Sequence, residues 1–327
     1  MTIKILNALI AILAGVGGAL IVYYVVNKLV EMLPLRWEER LKPYVFIGPA
    51  FAAIALFLLY PAIRTIIMSF ANRDSTEFVG FSNYTDLLSS PNFQSTLFNT
   101  LLWIAVVPFV TVVMGLAVAV LADRLKPGPE KLSKTIIFLP MAISMVGAGT
   151  IWRFIYEARP PSREQIGLQN AIVTALGMDP VVWLQESGFR LNSFFLMVIL
   201  IWAQVGFSMV LLSAALKGVD TSMIEAARID GASEVQAFFR VVVPSIWPTV
   251  VTVFITVTIG VMKVFDIVYV MTNGNFNTNV IAVDFYNQLF TNGNAGYASA
   301  IVVMLMIAVI PIMAYQVHNF REQESMR

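Results

Sequence analysis

Seven stretches of mainly apolar residues organise this chain, at approximately 5 to 30, 44 to 70, 98 to 122, 135 to 156, 193 to 216, 246 to 271 and 298 to 318. Roughly 20 such residues, at about 1.5 Å of rise each, span the ~30 Å hydrocarbon core of a bilayer as a helix. Lipid offers no hydrogen bonds, so a backbone crossing it must satisfy its own N–H and C=O groups, and a helix does this within one segment. Only 13% of residues are charged, 58% are hydrophobic and mean hydropathy is +0.78, which excludes a soluble globule. The expected fold is an all-α integral membrane protein with seven spans.

Basic residues in the connecting segments predict which side each faces, because short loops rich in Lys and Arg stay in the cytoplasm. One alternate set holds Arg36, Arg40, Lys42, Arg124, Lys126, Lys131, Lys134, Lys217, Arg228, Arg240, Arg321 and Arg327. The other holds only Lys4, Arg73, Arg159, Arg163 and Arg190. The first set is therefore expected inside, which puts the N-terminus outside and the C-terminus in the cytoplasm. The first span is longer than a signal-peptide core and its basic residues Lys28, Arg36 and Arg40 follow it, so a retained anchor is expected.

Little in the chain suits catalysis. It has no cysteine, which excludes disulfides and thiol chemistry, and one histidine, His318, at the inner end of the last span. No G-x-x-x-x-G-K-[ST] sequence is present, so if ATP drives the protein, another subunit binds it.

One cytoplasmic segment departs from the apolar pattern. Residues 217–248 read KGVDTSMIEAARIDGASEVQAFFRVVVPSIWP. Ser222 to Ile229 is predicted helical, Asp230 to Ser233 breaks it, and a second short helix runs from Glu234 to Val242. Gly231 can adopt positive φ without steric cost, and Ser233 can cap the second helix. Pro244 and Pro248 then open the next apolar helix. Met223, Ala226, Ala227 and Phe238 are the expected buried points of this elbow.

The segment closely resembles the EAA loop of binding-protein-dependent ATP-binding-cassette (ABC) import permeases of the carbohydrate branch. Glu225, Ala226, Ala227, Asp230, Gly231, Ala232 and Pro244 stand at that family's spacing. Asp220 departs from it, since the family usually has proline there. Further matches follow in the family's order: Pro140, Trp152, Gly167 with Asn170, Trp183-Leu184, Trp202, Gly206-Phe207, Phe265-Asp266, Thr272 with Gly274, and Gly296 to Ser299. The run from Lys263 to Gly274 is similar to α-glucoside permeases, although Asn275-Phe276 replaces the Gly-Pro of many relatives. The resemblance covers about Tyr44 to Val317.

It implies a six-helix ABC importer permease core with one extra N-terminal transmembrane helix. The expected organisation is an anchor and cytoplasmic linker at 1–43, a transmembrane domain at 44–318 with its EAA coupling loop at 217–245, and a tail at 319–327. In such an importer, Glu225, Ala226, Ala227, Asp230, Gly231 and Ala232 dock on a cytoplasmic ATPase, and the elbow moves around Gly231. ATP and Mg would bind the ATPase and no cofactor this chain. The implied partners are two ATPase copies, a second permease chain and an extracytoplasmic sugar-binding protein received by the long external loops. The setting is a bacterial or archaeal inner membrane, with lipid around the chain and no nucleic acid. An ion-coupled secondary sugar transporter is the alternative, but it would carry an inverted repeat and intramembrane coupling ions.

A sugar offers hydroxyl edges and apolar faces but no charge, so neutral polar and aromatic side chains suit its path. Trp202, Gln204, Ser208, Thr252, Thr256, Thr258 and Tyr269 are candidates within the spans. Lys263 and Asp266 are three apart, expected on one helix face, and either line the path or form a structural pair. Arg64 and Arg153 are expected to snorkel toward headgroups. Single Ser and Thr residues in membrane helices commonly serve packing, so the path rests on the group.

Overall fold

The computed structural model describes residues 2–325; Arg327 and the side chains of Lys4, Arg321 and the rest of 319–325 lie outside the described residues. The described chain is helical and divides into two compact units, residues 1–67 and 68–327.

The first unit pairs α1 (Thr2–Glu31) with α2 (Leu35–Met68) across a short turn at Met32 to Pro34. Tyr23 donates to the Phe46 carbonyl at 3.2 Å, and Val30 and Val45 are buried between the helices. Most other large apolar side chains here are exposed, including Leu20, Phe51 and Phe57, as suits helices solvated by lipid. The boundary expected at residues 43 and 44 falls inside α2, which runs through Pro43 and Pro49. A wide π turn at Ala55–Leu59 ends where the Tyr60 N–H bonds the Ala55 carbonyl, immediately before Pro61. The widening makes room for a ring that has no N–H to give and would crowd the carbonyl four residues back.

The second unit carries, in order, α3 (Ser82–Ser89), α4 (Pro91–Asp123), α5 (Pro127–Ala142), α6 (Met145–Ile155), α7 (Leu168–Ala175) and α8 (Leu191–Lys217). It continues through α9 (Thr221–Ile229), α10 (Glu234–Met262), α11 (Asp266–Met271), α12 (Ile281–Tyr286) and α13 (Ala295–Ser325). Central to it is α8, which packs along α4 and against α10 and α5. Trp103 and Val107 of α4, Leu196, Met197, Ile199, Met209 and Leu212 of α8, and Val253 of α10 are fully buried in one core. Close approach is set by Gly115, where an added Cβ would lie 2.3 Å from Ser208 Oγ.

Among the described residues, six helices are long and apolar enough to cross a membrane, and α5 with α6 makes a seventh span if the pair is counted as one. That pair corrects the straight span expected at 135 to 156: it bends by 103° at Ile143 and Ser144. Pro140 withdraws an N–H from the last turn of α5, and Ser144 restarts the chain as an N-cap, accepting from Gly147 N at 3.1 Å. The span expected at 246 to 271 also needs correction, since its helix ends at Met262. Lys263 and Phe265 leave helical geometry, while Val264, Ile267 and Val268 turn inward and are buried. Neither glycine nor proline marks this break in the sequence. Tertiary packing selects it: Val270 of α11 meets α6 at Gly149, where an added Cβ would sit 3.3 Å from Val270 Cγ1.

Candidate coupling elbow and polar cavity

The elbow begins where α8 ends. Asp220, the departure from the family pattern, caps α9: its Oδ1 accepts from Ser222 N at 2.9 Å, and that backbone bond holds the carboxyl below the usual Asp range. An aspartate thus does by hydrogen bonding what a proline would do by fixing φ.

The turn after α9 is closed on itself. Gly231 has φ +84°, its N–H bonds the Arg228 carbonyl at 3.0 Å, and the Ala232 N–H bonds the Ala227 carbonyl at 3.0 Å. These are the two bonds of a Schellman C-cap. Ser233 then forms a reciprocal capping box with Gln236, at 3.3 and 2.9 Å. Arg228 clamps Glu234 through two bonds, at 2.8 and 3.1 Å, spanning the turn. Gly231 is therefore a corner held by backbone and side-chain bonds on either side of it.

No second short helix stands apart from the span. Helix α10 runs unbroken from Glu234 to Met262, with a π turn at Phe238–Val242. That turn ends where the Val243 N–H bonds the Phe238 carbonyl, directly before Pro244, repeating the arrangement before Pro61. Pro244 is thus accommodated inside the helix and does not open it. Of the expected buried points, Ala227 and Phe238 are half-buried, whereas Met223 and Ala226 are exposed. Ile229, at 86% exposure, and Val235 also face outward, beside Glu225 and Arg228. A short amphipathic elbow with none of the described residues packed on its outer face exposes these apolar side chains beside charged ones, the composition of a protein-docking surface.

Gln204 of α8, Lys263 and Asp266 come together as walls of one cavity of about 150 Å³, with Met145 at the start of α6 and Gly260 of α10. The break at Lys263–Phe265 makes this possible, because it takes Lys263 out of α10 and starts α11 afresh at Asp266. Among the described residues no ion pair joins Lys263 to Asp266, and both are exposed. Thr252 and Thr256 share a face of α10 with Gly260 by their spacing of four, and both hydroxyls donate to backbone carbonyls, Thr252 to Pro248 at 2.9 Å and Thr256 to Thr252 at 2.8 Å. Phe265, also on the cavity wall, starts a ladder of rings: Phe265 to Tyr269 at 4.9 Å, Tyr269 to Tyr286 at 5.1 Å and Tyr286 to Phe290 at 4.8 Å.

The other candidates are placed elsewhere. Trp202 meets Trp152 edge to face at 5.7 Å in an aromatic cluster with Tyr156. Ser208 is fully buried between α8 and α4, opposite Gly115, and Thr258 is buried with its hydroxyl on the Phe254 carbonyl. Arg153 donates to the Val270 carbonyl and ties α6 to α11.

Residues 87–322 match the family model for the binding-protein-dependent transport system inner membrane component. The chain belongs to this family. It is 46% identical over 286 residues to the alpha-glucoside transport system permease protein AglF of Rhizobium meliloti (strain 1021), covering 87% of this chain and 84% of that protein. It is 44% identical over 283 residues to the osmoprotective compounds uptake permease protein GgtC of Synechocystis sp., covering 86% of this chain and all of that protein. Its fold matches that of a bacterial ABC transporter involved in import of the acidic polysaccharide alginate, with TM-score 0.75, 22% identity, and 88% of this chain and 99% of that one covered.

Several matches to the family pattern acquire physical reasons in this transport component. An added Cβ at Gly167 would lie 2.1 Å from the Glu157 carbonyl, at Gly206 2.4 Å from the Ile137 carbonyl, and at Gly296 2.1 Å from the Ala71 carbonyl. Asn170 is fully buried and staples the loop after α6, donating to the Glu157 and Val181 carbonyls and accepting from Val181 N. Sequence reasoning missed the Arg228–Glu234 clamp, whose six-residue separation fits no helical spacing. It also missed that Glu130 accepts from both Lys134 and Lys217, of which the i, i+4 spacing to Lys134 hints at the first.

Proposed function

We propose that this chain is the permease subunit of an ATP-driven ABC importer for a sugar, most consistent with a disaccharide or α-glucoside. The single observation that carries the reading is the elbow: Glu225, Ala226, Ala227, Asp230, Gly231 and Ala232 sit on a preformed corner with an unpartnered apolar outer face. A cytoplasmic ATPase is the occupant that fits, and ATP and Mg act in that subunit. One elbow serves one ATPase, so a second permease chain completes the pair. The elbow and C-terminus face the cytoplasm and the N-terminus faces out, as the basic residues imply. This chain's own contribution is mechanical and non-catalytic.

The cavity of Gln204, Lys263 and Asp266 supplies donors and acceptors for sugar hydroxyls, and the ring ladder from Phe265 supplies apolar faces for its pyranose. Closure of the ATPase pair displaces the elbow and opens this path outward to a docked binding protein. The solved alginate transporter has also been captured with a pentasaccharide-bound periplasmic protein. On this chain the fully exposed Phe189 offers such a protein an aromatic anchor.

The test is gentle detergent purification of the tagged chain from native membranes, with mass spectrometry of what accompanies it. An ATPase and a second permease, both retained by wild type and the ATPase lost from Glu225→Lys, are expected. Sugar uptake by the isolated chain driven by an ion gradient would overturn the reading in favour of a secondary transporter.

A further inference from the structure

The end of α8 is clasped to the start of α5 by a compact set of charges. Glu130 Oε1 accepts from Lys134 Nζ at 2.5 Å and from Lys217 Nζ at 2.5 Å. Lys217 also lies 3.6 Å from Asp123 at the end of α4, and Lys134 donates to Ser213 on α8. The Glu130 and Lys134 side chains are only 14% and 19% exposed, so water screens their contact less than that of an open surface pair. Lys217 is the last residue of α8, three before the Asp220 cap of the elbow.

Further along, the same two helices touch backbone to backbone, where Gly206 leaves no room for a Cβ beside the Ile137 carbonyl. Helix α5 is thus fixed to α8 at both ends of its length. Past that contact it bends by 103° into α6, whose first residue, Met145, walls the cavity with Gln204, Lys263 and Asp266. A continuous path of packed helix therefore runs from the exit of α8, through the bend, to the polar cavity.

We infer that Glu130, with Lys217, is a positioning residue: it ties the root of the elbow to α5, so that displacement of the elbow is delivered to the α5–α6 bend and hence to the cavity. The inference rests on the importer reading above. Without the clasp, α8 can tilt at its end while α5 stays, and the ammonium groups of Lys134 and Lys217 are left facing each other without their shared counterion. The ATPase then turns over while the cavity fails to follow. Neither residue touches substrate in this scheme; both act through helix position.

The experiment uses the whole importer in proteoliposomes with its binding protein, and reads sugar molecules taken up per ATP hydrolysed. Glu130→Gln keeps the side chain's size and is expected to lower that ratio about fivefold or more while sugar-stimulated ATP hydrolysis persists, the scale of an ordinary coupling free energy. Lys217→Met spares the Lys134 pair within α5 and is expected to do the same even if Glu130→Gln assembles poorly. Lys217→Arg, which keeps a cation against Glu130 and Asp123, is expected to retain most of the ratio. A wild-type ratio in both single variants would overturn the inference, as would a proportional fall of uptake and hydrolysis, which marks a merely structural role. Uptake by wild type without ATP hydrolysis would instead overturn the importer reading, leaving the two failures distinguishable.

Discussion

Arg228 reaches across the Gly231 corner and holds both carboxylate oxygens of Glu234, at 2.8 and 3.1 Å. Both side chains are more than half exposed, so the bond contributes little to folding. Its use is geometric: it sets the angle between α9 and α10. Arg228→Ala should therefore express and insert normally yet lower ATP-driven uptake, and Arg228→Lys, which cannot make the two-pronged bond, should resemble it. Uptake at wild-type rates by both variants in matched proteoliposomes would show that the elbow angle does not depend on the clamp.

Gly231 separates two causes that a single substitution would mix. Nothing lies within 4 Å of a Cβ added there, so a side chain meets no neighbour, and the cost comes from φ +84° alone. A non-glycine residue in that region costs about 1–2 kcal/mol, less for Asn and more for a β-branched residue. Uptake at equal expression should fall in the order Gly, Asn, Ala, Val at position 231. Equal activity of Asn and Val would mean that the corner is not held at positive φ during transport.

Two glycines on the helices around the cavity should behave oppositely. A Cβ at Gly206 would press within 2.4 Å of a carbonyl on α5, whereas one at Gly260 meets nothing within 4 Å. Gly206→Ala is expected to destabilise the protein by about 1–3 kcal/mol, the usual cost of overpacking, and to lower its melting temperature in detergent. Gly260→Ala should melt as wild type but change uptake, because position 260 lies on the cavity wall. A lowered melting temperature for Gly260→Ala would place a neighbour against it in the membrane.

Much of this was legible in the sequence, for reasons that differ by element. The elbow could be read because its determinants are local: Asp230-Gly231 stops one helix, Ser233 caps the next, and the family spacing fixes the register. The spans could be read because lipid imposes a length. The break at Lys263 could not, since helix propensity there is ordinary and the choice is made by Ile267, Val268 and Val270 packing into the bundle. Periodicity placed Lys263 and Asp266 on one helix face, but the break instead aims both into a cavity with Gln204, a residue some sixty positions earlier in the chain. Ser208 and Trp202 look as suited to a sugar as Gln204 in sequence; only the position of α4 and α6 tells which of them is packed away.

Gln204 is accordingly the cleanest probe of the path. It is half-buried, and its amide can both donate to and accept from a hydroxyl. Loss of one neutral hydrogen bond is worth about 1 kcal/mol, or about fivefold in affinity. Gln204→Ala should raise the KM for sugar uptake by about that factor, with co-purification of the ATPase unchanged. Ser208→Ala, altering a hydroxyl sealed between α8 and α4, should leave KM alone. If instead Ser208→Ala raises KM and Gln204→Ala does not, the substrate path lies on the other face of α8.

Phe189 tests the opposite end of the mechanism. It is fully exposed at φ +50°, next to Arg190 at φ +59°, and such conformations persist only where neighbours enforce them. Here the Arg190 guanidinium donates to the Asn277 carbonyl at 2.7 Å and to Ser95 Oγ at 2.9 Å, and sits 5.2 Å from the centre of the Phe98 ring. The effect is to hold an aromatic ring out in solvent on a braced turn. As an anchor in a partner's pocket it would contribute more than 1 kcal/mol, so Phe189→Ala should weaken binding-protein affinity about tenfold without altering the melting temperature. Arg190→Ala should weaken it as well, by releasing the turn while leaving the ring in place. Unchanged affinity in both variants would move the docking site away from this turn.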